Sequence, residues 1–189
     1  LPPELRVPGP GWARFATDVV ALAGVASFAT AFWWDGVVVA LFALVLLGLT
    51  VARLTQLPGA LQAATGATLI LSAWAATLDW FVTVPGLDIV AHVAANGLLA
   101  VVLMVVLWRT RLVSPGLPAV GVVVVTAALG ALLAVLWETG EWFGHTVITD
   151  AIGVGYDDTI GDLAAGTLGS VAGGALLAMG LAREGGLRG

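Results

Sequence analysis

Apolar residues run through this chain in long stretches without regular polar alternation, and short polar breaks separate the stretches. A helix needs about 17–25 residues to cross a hydrocarbon layer of about 30 Å. Six stretches meet that length: 17–34, 36–52, 60–80, 87–108, 117–142 and 159–182. The breaks WWDG (33–36), RLTQLPG (53–59), VPG (84–86) and RTRLVSPGLP (109–118) each carry Gly or Pro, residues that interrupt helices. The lack of a water-facing period fits a lipid surrounding, where each helix satisfies its own backbone groups. The pattern therefore predicts an all-α, polytopic membrane protein: a six-transmembrane-helix bundle forming a single transmembrane domain over residues 1–189. Arg6 and Arg14 before an apolar core, with ATA at 29–31, resemble a secretory signal. The segment is retained in the chain and counts as a span.

Composition agrees. Of 189 residues 60% are hydrophobic and 10% charged, and the mean hydropathy is +1.05, outside the range of soluble globular domains. The absence of cysteine excludes disulfides, thiolate ligands and a cysteine nucleophile. Lysine is also absent, and a six-span topology puts Arg6, Arg14, Arg53, Arg109, Arg111, Arg183 and Arg188 all on one side. The positive-inside rule makes that side, with both termini, cytoplasmic. Asp35, Asp79, Asp150, Asp157 and Asp158 fall on the other side, with Trp33, Trp34, Trp80, Trp137 and Trp142 at the matching helix ends. Asp35 and Asp150 read as solvated loop residues. So few and scattered arginines make no nucleic-acid surface; membrane lipid is the expected partner.

The stretch WETGEWFGH changes the picture. Glu138, Glu141 and His145 sit at i, i+3 and i+7, on one face of a continuing helix, although the helix dipole disfavours anions at a C-terminal end. At about 1.5 Å per residue from Pro118, Glu138 reaches the outer edge of the membrane. LDIVAH opens the fourth span with Asp88 and His92 at i, i+4, and DDTIGDL opens the sixth with Asp158 and Asp162 at i, i+4, preceded by Asp157. Three helix ends thus bring carboxylates and both histidines to one depth. With no arginine or lysine on that face, protons, imidazoles or a bound cation must neutralise the cluster. Imidazole with carboxylate suits Zn²⁺, Mn²⁺ or Fe, and inward-facing sets from several helices are how bundle metal sites are built. The expected metal ligands are Asp88, His92, Glu138, Glu141, His145, Asp158 and Asp162. A proton-shared network is the alternative, and Asp88 or Asp158 alone would serve as a helix N-cap. Gly161, Ala165, Gly169 and Gly173 form a small-residue stripe at i+4 spacing, and Gly166, Ser170 and Gly174 continue the row below Asp162; such residues permit close helix packing.

Three function classes are compatible with these features. The first is a metal-dependent hydrolase acting on a lipid or lipid-linked substrate at the outer leaflet, with Glu138 or Glu141 as general base. The second is a transporter or proton pathway, disfavoured because the span interiors are almost uncharged. The third is a non-catalytic metal- or lipid-binding membrane protein.

The ordered motifs D-x-x-x-H at 88–92, E-x-x-E-W at 138–142 and D-T-x-x-D-L at 158–163, followed by a glycine-rich helix, resemble the YjdF-type family of small bacterial inner-membrane proteins. The resemblance covers about the last hundred residues and implies a multi-pass protein of the bacterial cytoplasmic membrane. Its polar positions would be Asp88, His92, Glu138, Glu141, Asp158 and Asp162, with no settled activity. More distantly the chain is similar to VanZ-like proteins, from which it departs: no Gln follows Glu138, and Gly166 stands where an Asn is expected.

Overall fold

A computed structural model describes the backbone of residues 6–186 and the side chains up to residue 181. Arg188 and the side chain of Arg183 lie outside the described residues. Every regular element described is helical, and the chain divides into two compact units, Leu1–Leu87 and Asp88–Gly189.

The first unit holds α1 (Gly11–Ala31), α2 (Gly36–Leu54), α3 (Gly59–Thr77) and the single turn α4 (Trp80–Thr83). Its core gathers Ala31, Phe42, Val45, Ile70 and Ala73. The Trp74 ring packs on Phe42 at 5.0 Å, and its indole N–H donates to Ser27 Oγ at 2.9 Å, so the polar edge of a half-buried ring has a partner. Asp35 is not simply solvated. Its Oδ1 accepts from the backbone N–H groups of Val37 and Val38 at 2.9 and 3.0 Å, capping α2.

Helix ends differ in detail from the Gly/Pro reading. Gln56, Asp79 and Arg111 adopt left-handed φ values of 51°, 56° and 61° where α2, α3 and the helix of residues 87–109 finish. At Gln56 and Arg111 the next residues close the ends by paired bonds: Gln56 N–H to Arg53 O and Leu57 N–H to Ala52 O, then Arg111 N–H to Trp108 O and Leu112 N–H to Leu107 O. This double bond pattern satisfies orphan carbonyls and is usually made by glycine. The prolines instead begin helices, Pro58 before α3 and Pro118 before the helix of residues 119–143.

The second unit contains α5 (Leu87–Arg109), α6 (Ala119–Phe143), a π-helical turn (Gly144–Ile148) and α7 (Tyr156–Gly186). Small residues set its geometry. A Cβ at Gly169 would strike the Val93 carbonyl, one at Gly97 would lie 2.7 Å from Gly169 O, and one at Gly173 2.8 Å from Gly97 O. On the other face of α7, a Cβ at Gly166 would lie 3.3 Å from Ala134 Cβ, one at Gly174 would lie 3.0 Å from Val123 Cα, and Ser170 fills the space beside Gly130. Contacts therefore step in register along α5 and α7, which run parallel, while α6 runs antiparallel between the same levels. Ser170 Oγ donates to Gly166 O at 2.7 Å and approaches Asn96 O at 3.3 Å, tying the buried layer beneath the polar cluster.

Five helices among the described residues are long and apolar enough to cross a membrane: α1, α2, α5, Ala119–Ile148 (α6 with its π turn) and Tyr156–Leu181 within α7. Helix α3 is not among them; it carries Gln62, Thr65, Thr68, Ser72 and Thr77. Gln62 and Thr65 are buried, and Gln62 Nε2 donates to Leu57 O at 2.7 Å.

Candidate functional site

The register of α5 against α7 decides which acidic groups meet. One turn above the Asn96–Gly166 level, His92 on α5 faces Asp162 on α7: Nε2 lies 3.6 Å from Asp162 Oδ2 and 3.5 Å from Asp88 Oδ1, one turn back along α5. Both separations exceed hydrogen-bond length. They approach the ligand–ligand edge of about 3.4 Å that a tetrahedral ion with bonds of about 2.0–2.2 Å requires. One ligand atom each from Asp88, His92 and Asp162 falls within a common 4.8 Å. Such a set is able to hold a divalent ion with one position left open, the arrangement of hydrolytic sites.

Asp162 is the buried member, 3% exposed, and its Oδ1 has no hydrogen-bond partner among the described residues. An orphaned carboxylate oxygen in the interior is costly without a cation or proton. Glu138 on α6 repeats this feature: its Oε1 is buried and has no hydrogen-bond partner among the described residues. Glu138 lies within electrostatic reach of Asp88, His92 and Asp158, and half-buried Glu141 within reach of Glu138, Asp162 and Asp88. Neither glutamate belongs to the 4.8 Å set.

The remaining expected residues are placed differently. Asp158 is exposed in the first turn of α7, where an anion complements the helix dipole. His145 sits in the π turn, with Nδ1 2.6 Å from the Ile152 carbonyl. A carbonyl only accepts, so this nitrogen carries the proton and the ring is turned to the α6–α7 connector. Ile152 also packs over Gly144, where a Cβ would lie 2.6 Å from its Cδ1. Asp157 is exposed on the same first turn as Asp158.

A cleft of about 280 Å³ opens beside Glu138, lined by Val135, Thr139 and Trp142 from α6 and Thr159 and Leu163 from α7. Thr159, whose side chain interacts with Glu138, escaped the sequence reading. Its signal was present in DDTIGDL, since Thr159 precedes Asp162 by three positions and shares its helix face.

The model of the family of predicted membrane proteins DUF2238, usually named YjdF-type, matches residues 12–183. The chain belongs to this family. With five helices of membrane-crossing length and apolarity, it is a multi-pass membrane protein whose surroundings are lipid. No curated protein and no solved structure matches it.

Proposed function

We propose that this protein binds a divalent transition metal, Zn²⁺, Mn²⁺ or Fe, through Asp88, His92 and Asp162, and uses it to hydrolyse a lipid or lipid-linked substrate. The observation that carries the reading is His92 Nε2 standing 3.5 and 3.6 Å from two carboxylates, one of which keeps a buried oxygen without a partner. In the fuller account six spans form one transmembrane domain, α3 being the sixth, in a bacterial cytoplasmic membrane. Both termini are cytoplasmic and the site opens near the outer surface.

When bound, such an ion supplies Lewis acidity and an acidified water. Glu138, beside the cleft, takes a proton from the water that adds to the ester carbon or phosphorus. As the bond to the leaving oxygen breaks, Glu138 returns that proton to it. Of the other expected ligands, Glu141 lies within electrostatic reach of Glu138, Asp162 and Asp88, Asp158 stands in the first turn of α7, and His145 holds the connector through Ile152 O.

A second reading draws on the facing carboxyl groups of Asp88 and Asp162: a proton shared between them replaces the ion, as a proton-pathway or non-catalytic protein would require. Two variants separate the readings. Glu138→Gln keeps bound metal and loses hydrolysis of a fluorogenic lipid ester, whereas His92→Ala loses both. Metal-free protein whose behaviour ignores added Zn²⁺ and Mn²⁺ supports the shared proton.

A further inference from the structure

The cleft between α6 and α7 is lined by both apolar and polar side chains. Val135, Trp142 and Leu163 give it apolar walls, with Val135 49% and Trp142 56% exposed, while Glu138, Thr139 and Thr159 make it polar. Both helices that form it belong to membrane-length segments, so the exposed apolar side chains on its wall suit a lipid tail. Thr139 spends its hydroxyl on the Val135 carbonyl at 2.7 Å and the Thr159 side chain interacts with Glu138, which leaves the Glu138 carboxylate as the charged group in the cleft. Among the described residues no cationic side chain lines the cleft, and Asp88, Asp158 and His92 lie within electrostatic reach of Glu138.

We propose that this cleft is a binding site for a phospholipid with a primary ammonium headgroup, its ammonium on Glu138 and a tail against Val135, Trp142 and Leu163. The choice of headgroup follows from charge. A carboxylate gains charge-assisted hydrogen bonds from an N–H-bearing cation, a trimethylated ammonium offers no N–H to donate, and an anionic headgroup meets like charge. The inference takes the Glu138 region as the protein's working site and does not depend on a bound metal.

The test is native mass spectrometry of the purified full chain with phosphatidylethanolamine, phosphatidylcholine and phosphatidylglycerol of identical acyl chains, after EDTA treatment and again after Zn²⁺ loading. The expected result is retention of phosphatidylethanolamine at least about fivefold above the other two in both states. Glu138→Gln should abolish that preference. Val135→Trp, at an exposed position on the cleft wall, should lower retention of all three while leaving the lipid-free melting temperature near that of the unaltered chain. Equal retention of the three lipids, preference for phosphatidylglycerol, or a preference unchanged in Glu138→Gln would overturn the proposal. So would a preference that EDTA removes, since the ion and not Glu138 would then select the headgroup. Absence of bound metal leaves these outcomes unaffected, so failure of the metal reading is separately visible.

Discussion

His92 and Asp162 meet at 3.6 Å because α5 and α7 run parallel in close register, and that register is held by glycine, not by the charged groups themselves. A Cβ at Gly169 would collide with the Val93 carbonyl, next in sequence to His92. Gly169→Ala should therefore force the two helices apart, at a cost of about 1–3 kcal/mol as for overpacked cores. It should weaken Zn²⁺ binding by about tenfold without touching a ligand, and comparative thermal melts with and without Zn²⁺ would detect both effects. Unchanged Zn²⁺ affinity would mean that the register does not position the site.

Metal addition should stabilise the protein by mass action. Free Zn²⁺ at about 100 times its dissociation constant contributes about 2.7 kcal/mol, which for a chain of this size corresponds to a rise of about 5–10 °C in melting temperature. Asp162→Ala, which removes the buried ligand, should abolish the shift; Asp150→Ala, in the exposed connector, should preserve it.

How much of this was legible beforehand depends on the kind of information involved. Asp88 with His92, and Asp162 one helix away, could be read because a four-residue spacing fixes a helix face whatever the surroundings. Which of the seven expected ligands converge could not be read. Helices apolar on every side carry no periodic signal for rotation, and here rotation is set by backbone contacts at Gly97, Gly169 and Gly173. His145 shows the same limit. Its i+7 spacing from Glu138 presumed a regular helix, and the π turn at Gly144–Ile148 redirects the ring to Ile152 O. Five helices of membrane-crossing length and apolarity were legible from length and hydropathy, whereas α3, with its buried Gln62 and Thr65, is a more polar helix whose place as the sixth span rests on the sequence pattern. Thr159 shares the helix face of Asp162, yet a threonine there gains meaning only with Glu138 across the cleft from it.

Zn²⁺ binding should weaken on acidification. Protons compete with the ion for the imidazole and both carboxylates, so affinity should fall by about tenfold or more between pH 7.5 and pH 5.5. Isothermal titration at several pH values in one detergent would measure it, together with the protons released. A pH-independent affinity would point to ligands other than these three.

The arginine distribution predicts orientation. Ser114 precedes α6 and Asp150 follows it, both exposed, and the chain has no cysteine of its own. With single cysteines at these positions, a membrane-impermeant thiol reagent applied to intact cells should label position 150 and not position 114. Labelling at 114 alone would turn the site toward the cytoplasm.

The central claim, that Asp88, His92 and Asp162 hold one ion, is tested most directly by equilibrium dialysis of the purified chain against Zn²⁺, followed by metal analysis and X-ray absorption at the zinc edge. The account predicts one Zn²⁺ per chain with only nitrogen and oxygen ligands at about 2.0–2.2 Å, lost in His92→Ala and in Asp162→Ala and kept in Asp150→Ala. Protein that retains no zinc, or that retains as much in His92→Ala as in the unaltered chain, would contradict it.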